Sequence, residues 1–165
     1  MMRKNRRGFT LIELLIVVMI IGIIVAIAVF NFLNAIQRAR QKRAMADLRS
    51  IATALETYSV DHNVYPTAAA AFTLPSGLAL PTVGVSSSVI GKLQPSYIRL
   101  VPTVDPWMGT YLYSTNADAS DYALRSTGRD RSPEGTPVYG PVSNFNQDII
   151  LVDGSFVQYP EGTQK

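Results

Sequence analysis

Glu13 is the only charged side chain between Phe9 and Phe30. A carboxylate inside an apolar stretch of membrane length is costly to hold there, and residues of this kind usually have a task. The chemistry on offer is charge pairing. If the chain is cut between Gly8 and Phe9, a new ammonium group appears close to Glu13. An ammonium on one subunit and a carboxylate on its neighbour would neutralise each other where neither is well solvated. The remaining reactive residue types do not form a catalytic arrangement. No GxSxG elbow surrounds a serine, and there is no HExxH, P-loop or dinucleotide fingerprint. His62 is the single histidine and has no neighbouring ligand residues. The absence of cysteine excludes disulfides, thiolate nucleophiles, iron–sulfur clusters and cysteine zinc sites.

The element that must hold Glu13 is the apolar run itself. Phe9 to Phe30 spans 22 residues, enough for a helix to cross a hydrocarbon core. Arg3, Lys4, Arg6 and Arg7 precede it and argue for a cytoplasmic N-terminus; Arg38, Arg40, Lys42 and Arg43 follow it and weaken that vote. Three readings fit the segment: a plain signal anchor, a secretory signal cut near Ala26-Ile27-Ala28, and a span processed at Gly8-Phe9. Only the third gives Glu13 a partner. The chain's formal charge of +3 belongs mostly to the leader, because removing those four residues leaves 11 basic against 12 acidic ones. No basic stripe with interleaved aromatics marks a nucleic-acid surface.

Gly8-Phe9-Thr10-Leu11-Ile12-Glu13, after a short basic leader, resembles the prepilin signature of type IV pilins and type II secretion pseudopilins. The resemblance runs on through Tyr65-Pro66. It implies a prepilin peptidase that cuts after Gly8 and methylates Phe9, and it makes Glu13 the assembly residue. Many members carry proline at the position of Phe30; this chain does not, and Gly22 is the weak point of its span.

Beyond the span, Leu48, Ile51, Leu55 and Tyr58 recur at helical spacing beside Ala44 and Ala52. Arg40, Arg43, Asp47, Arg49 and Glu56 fall mostly on other faces. A continuous helix from Phe9 to about Asp61 would be roughly 80 Å long. Asn63-Val64-Tyr65-Pro66 ends it, with His62 near the terminal dipole. Residues 66–96, rich in Ala, Ser, Pro and Gly, read as a long surface excursion with one short helix near Ser86–Leu93. Strands are expected at Thr110–Ser114, Tyr122–Arg125, Asp148–Val152 and Ser155–Tyr159. Asp153-Gly154 forms the hairpin turn between the last two, and Gly128–Gln147 is a polar loop. The fold class is α+β: a long N-terminal helix packed on a small antiparallel sheet, pilin-like. The chain divides into a leader (1–8), a transmembrane or filament-core helix (9–30), an amphipathic helix (31–62) and a globular head (63–165).

Two patches narrow the resemblance. Asp105-Pro106-Trp107-Met108-Gly109 resembles the Asp-Pro-Trp-Gly run of the major pseudopilin of type II secretion, with Met108 inserted before the glycine. Trp107 itself reads as a core aromatic. Ser126-Thr127-Gly128-Arg129-Asp130 resembles the start of that family's calcium loop, which would make Ser126, Asp130 and Asp148 candidate metal ligands. Arg129 and Arg131 beside Asp130 favour a salt-bridged loop instead.

The expectation is a filament subunit and not an enzyme, made in a bacterial inner membrane with its head in the periplasm and then moved into a periplasmic or cell-surface fibre. Its partners would be copies of itself in an open helical homopolymer, the prepilin peptidase, minor pilins, an inner-membrane assembly platform and the membrane, with no nucleic acid. A surface type IV pilin for adhesion, motility or DNA uptake is the alternative within the family. A membrane-anchored periplasmic domain that never polymerises is the alternative outside it.

Overall fold

The computed structural model describes residues 8–68, 81, 84–162 and 164. The basic leader and the Ala/Pro-rich stretch after Ala68 lie outside the described residues. The described part holds two helices and a five-stranded sheet, and the chain divides into two units, residues 1–36 and 37–165.

Helix α1 (Leu11–His62) is one uninterrupted helix of 52 residues. Its start has a local cause. Thr10 precedes the helix, and its Oγ1 accepts a hydrogen bond from the Glu13 N–H at 3.3 Å. The Thr10 hydroxyl also faces the Glu13 carboxylate at 3.5 Å, and Leu14 N–H bonds the Thr10 carbonyl. Thr-x-x-Glu is the pattern of a capping box, which satisfies helix donors that have no intrahelical partner. At the other end, Asn63 adopts φ 57° and its N–H bonds the Ser59 carbonyl at 2.8 Å. That is a left-handed cap, and Pro66 then prevents resumption.

In the first unit the large apolar side chains from Phe9 to Leu33 are all exposed, and none of the most apolar 18-residue window is buried. The helical stretch is long and apolar enough to cross a membrane. In the second unit the rest of α1 is the spine of a core. Ala44, Leu48, Ile51, Ala52, Leu55 and Tyr58 are all buried, as their spacing predicts.

The other side of that core is the sheet, built from β1 (Leu112–Thr115), β2 (Tyr122–Ser126), β3 (Gly140–Val142), β4 (Ile149–Val152) and β5 (Ser155–Pro160) in the order β1-β2-β4-β5-β3. Tyr113 pairs with Leu124, and Leu124 with Leu151; these three point into the α1 core with Tyr111, Tyr122 and Ile149. Asp153 (φ 45°) and Gly154 (φ 77°) make the β4–β5 turn as expected. Helix α2 (Ser87–Leu93) adds Val89 and Leu93 to the same core.

The sheet departs from the expected pattern in one place. Gly140-Pro141-Val142 lies inside the stretch read as loop, yet it forms edge strand β3, parallel to β5. The sheet is therefore antiparallel except at that edge. Proline is tolerated there because an edge strand leaves one row of backbone groups outside the ladder.

Polar pins join α1 to the head along its length. Gln37 Oε1 accepts from the Trp107 indole N–H at 2.7 Å, Asp47 from Tyr111 at 2.9 Å, Glu56 from Tyr122 at 3.0 Å and Asp61 from Tyr97 at 2.9 Å. Burial, reinforced by the facing carboxylates, pushes the Tyr111 and Tyr122 hydroxyls far above their usual range. Both phenols therefore stay protonated and donate. Asp47 is half-buried against the head, and Glu56, though exposed, accepts from it. Trp107 is buried, as expected, but it packs by the loop before β1 and reaches α1 through its N–H.

Candidate functional site

The N-terminal segment carries the residues singled out for processing and assembly. Gly8, Phe9 and Thr10 are outside regular structure and exposed, so a peptide bond at 8–9 lies in accessible, extended chain just ahead of the helix. Glu13 sits in the first turn of α1. A carboxylate there is favoured by the partial positive charge of the helix N-terminus. Glu13 thus has a local tie that its reading as a lone charge missed: its backbone N–H is capped by the Thr10 hydroxyl. Both of its neighbours in the sequence, Ile12 and Leu14, are exposed apolar residues.

The two patches in the head meet each other. Asp105 is buried, and its Oδ1 accepts from the N–H groups of Trp107 at 3.0 Å and Gly109 at 2.7 Å. Its Oδ2 accepts from the Ser126 hydroxyl at 2.9 Å. The Asp-Pro-Trp run is thus an aspartate-closed turn, locked to the end of β2 by Ser126. Met108 occupies the left-handed position of that turn, at φ 68°.

The three candidate metal ligands do not converge. Ser126 is committed to Asp105. Asp130 is exposed and accepts from the Ser132 N–H at 3.0 Å. Asp148 is fully buried and ion-paired with Arg125, a residue the sequence reading had placed in a strand without a role. Among the described residues no three His, Cys, Asp or Glu side chains group as a metal site. Arrangement and charge here do not fit a calcium ion, which needs six to eight oxygens. His62, the single histidine, stacks on Tyr58 with ring centroids 3.9 Å apart and stands 3.1 Å from the Tyr58 carbonyl.

Comparison with known proteins agrees with both ends of the chain. The family model of the prokaryotic N-terminal methylation motif matches residues 3–29, and that of type II secretion system protein G matches residues 31–145. The chain belongs to the type II secretion system protein G family. The Vibrio cholerae type II secretion system core protein G is 32% identical over 148 residues, covering 88% of this chain and 97% of that protein. The Pseudomonas aeruginosa core protein G is 30% identical over 152 residues, with 88% and 99% covered. The Escherichia coli K12 protein of the same name is 31% identical over 126 residues, 76% of this chain and 83% of that one. The family is that of the major pseudopilin, a structural subunit, and the methylation motif marks prepilin-type processing. The apolar N-terminal helix and the pilin-like α+β head are the form this function takes here.

Proposed function

We propose that this pseudopilin is cut between Gly8 and Phe9 by a prepilin peptidase, methylated on Phe9, and drawn from the inner membrane into a helical fibre in the periplasm. Glu13 of an incoming subunit pairs with the Phe9 ammonium of a subunit already in place. The observation that carries this reading is the exposed apolar stretch from Phe9 to Leu33, which holds one carboxylate in the first turn of α1. Some 25 residues of apolar helix need a cover, and lipid before assembly and sister helices after it both provide one.

The pairing sets the order of events. A free ammonium at Phe9 exists only after cleavage, so an unprocessed subunit offers its neighbour no counter-charge and does not add stably. Two ions that are poorly solvated in lipid gain most from direct contact. The growing fibre repeats one head-to-tail contact that does not close on itself. Minor pseudopilins and an inner-membrane assembly platform would start the fibre and drive it. The role is structural, and the head displays no catalytic arrangement among the described residues.

The test is the N-terminal residue and intact mass of the protein extracted from its native membrane. A start at Phe9 with one added methyl group is expected. A start near Val29 would mean an ordinary secreted domain, and the filament reading would fall.

A further inference from the structure

A buried cation lies beneath the loop that follows β2, and the processing and assembly of the N-terminus make no use of it. Arg125 is 1% exposed and is among the largest fully buried side chains of the protein. On β2 it alternates with Leu124, so it points away from the α1 core, towards the face covered by the loop after β2. Its guanidinium bonds Asp148 through Nε and through a terminal nitrogen. The same terminal nitrogen, Nη2, also donates to the backbone carbonyl of Glu134, in the middle of that loop. The loop answers in kind: the Glu134 N–H donates to Asp148 Oδ2 at 3.0 Å. Its side chain then accepts from Gln158 on β5 at 2.9 Å, and Gln158 Oε1 accepts from the Val138 N–H at 2.8 Å.

We infer that the Arg125 guanidinium is the built-in cation of this loop, tying residues 127–139 to β4 through Asp148 so that the head folds without calcium. A buried charge persists only where it is paired and hydrogen-bonded, and here one planar cation meets both a carboxylate and a peptide carbonyl. These are the two ligand types a hard metal ion would use. Arginine's fixed fork suits that double duty, and it stays protonated at any physiological pH. A divalent ion at the remaining oxygen, Asp148 Oδ1, would stand within a few ångströms of the guanidinium and be repelled by it. The further oxygens such an ion needs are turned elsewhere, since Ser126 serves Asp105 and Asp130 is at the surface. Gly128 contributes to the same closure. At φ 67° it passes so close to the 146–147 backbone that a Cβ would lie 2.8 Å from two carbonyl oxygens.

The experiment is thermal unfolding of the full chain in detergent micelles, in EGTA and in millimolar calcium chloride, followed by Trp107 fluorescence. The wild-type midpoint should be the same in both. Arg125→Met, which strands the Asp148 carboxylate, should lower it by roughly 10 °C or more. The double variant Arg125→Met/Asp148→Leu, which removes both charges, should recover at least half of that loss. A wild-type midpoint that falls in EGTA and returns with calcium overturns the inference, as does a double variant no more stable than the single one. If Arg125→Met does not fold, the wild type and the double variant still decide.

Discussion

Met108 and Gly128 have nearly the same positive φ, 68° and 67°, and differ in what surrounds them. They should respond to substitution with opposite signs. A residue other than glycine in the left-handed region costs about 1–2 kcal/mol, and glycine costs about 0.4–1 kcal/mol through its freer unfolded chain. At position 108 the difference favours glycine by about 0.5–1 kcal/mol. The Met108 side chain is 78% exposed, so little packing is lost with it, and Met108→Ala controls for that loss while keeping the strained φ. Met108→Gly should therefore unfold about 2–5 °C above Met108→Ala. Gly128→Ala meets the same backbone strain and adds a Cβ 2.8 Å from the Asn146 and Gln147 carbonyl oxygens. Those are backbone atoms that cannot swing aside, so overpacking adds to the strain, for a total of about 2–4 kcal/mol. Trp107 is the only tryptophan and is buried beside position 108. Thermal unfolding of the full chain in detergent gives the first value and urea unfolding the second, both read by its fluorescence. A Met108→Gly protein less stable than Met108→Ala would refute the reasoning, and so would a neutral Gly128→Ala.

Glu13→Ala should leave the protein in the membrane and abolish fibres, as seen by shearing and electron microscopy; persistent fibres would remove the pairing from the account. Asp105→Ala strips the acceptor from two N–H groups and the Ser126 hydroxyl, and should cost about 2–4 kcal/mol in the same urea experiment. Leu48→Ala, at a fully buried position of α1, should cost about 2–5 kcal/mol. Burial pushes the Asp148 carboxyl up from 3.8 to about 6, with the Arg125 guanidinium pulling it back. The folded form therefore holds this proton more tightly than the unfolded chain. The contribution to stability is present at low pH and is lost as pH rises through about 6. Unfolding free energies of wild type and Asp148→Asn, measured from pH 4 to 8, should differ by that slope and run parallel above it.

What the sequence disclosed was set by contacts near in the chain. The apolar stripe of α1, the stop at Tyr65-Pro66, the short helix before Leu93 and the Asp153-Gly154 hairpin each follow from residues within a turn or two of one another. The Gly8-to-Glu13 segment was legible for the same reason. Thr10-x-x-Glu13 is a helix-start pattern of the same short range.

The rest depended on partners far along the chain. Asp47 and Glu56 lie off the apolar stripe, and nothing local shows that Tyr111 and Tyr122 will arrive more than 60 residues later to donate to them. β3 is three residues long and contains a proline, so its only signal is a parallel neighbour, β5, that is itself defined later in the chain. Arg125 is the sharpest case. Alternation puts it on the face of β2 away from the core, and an arginine there ordinarily reads as solvated. A loop whose own sequence looks like surface folds over it and turns a surface charge into a buried one. Local pattern gives the side of the sheet on which a residue emerges. Whether that side meets water is decided by the covering chain, and here the covering chain is held down by the residue it buries.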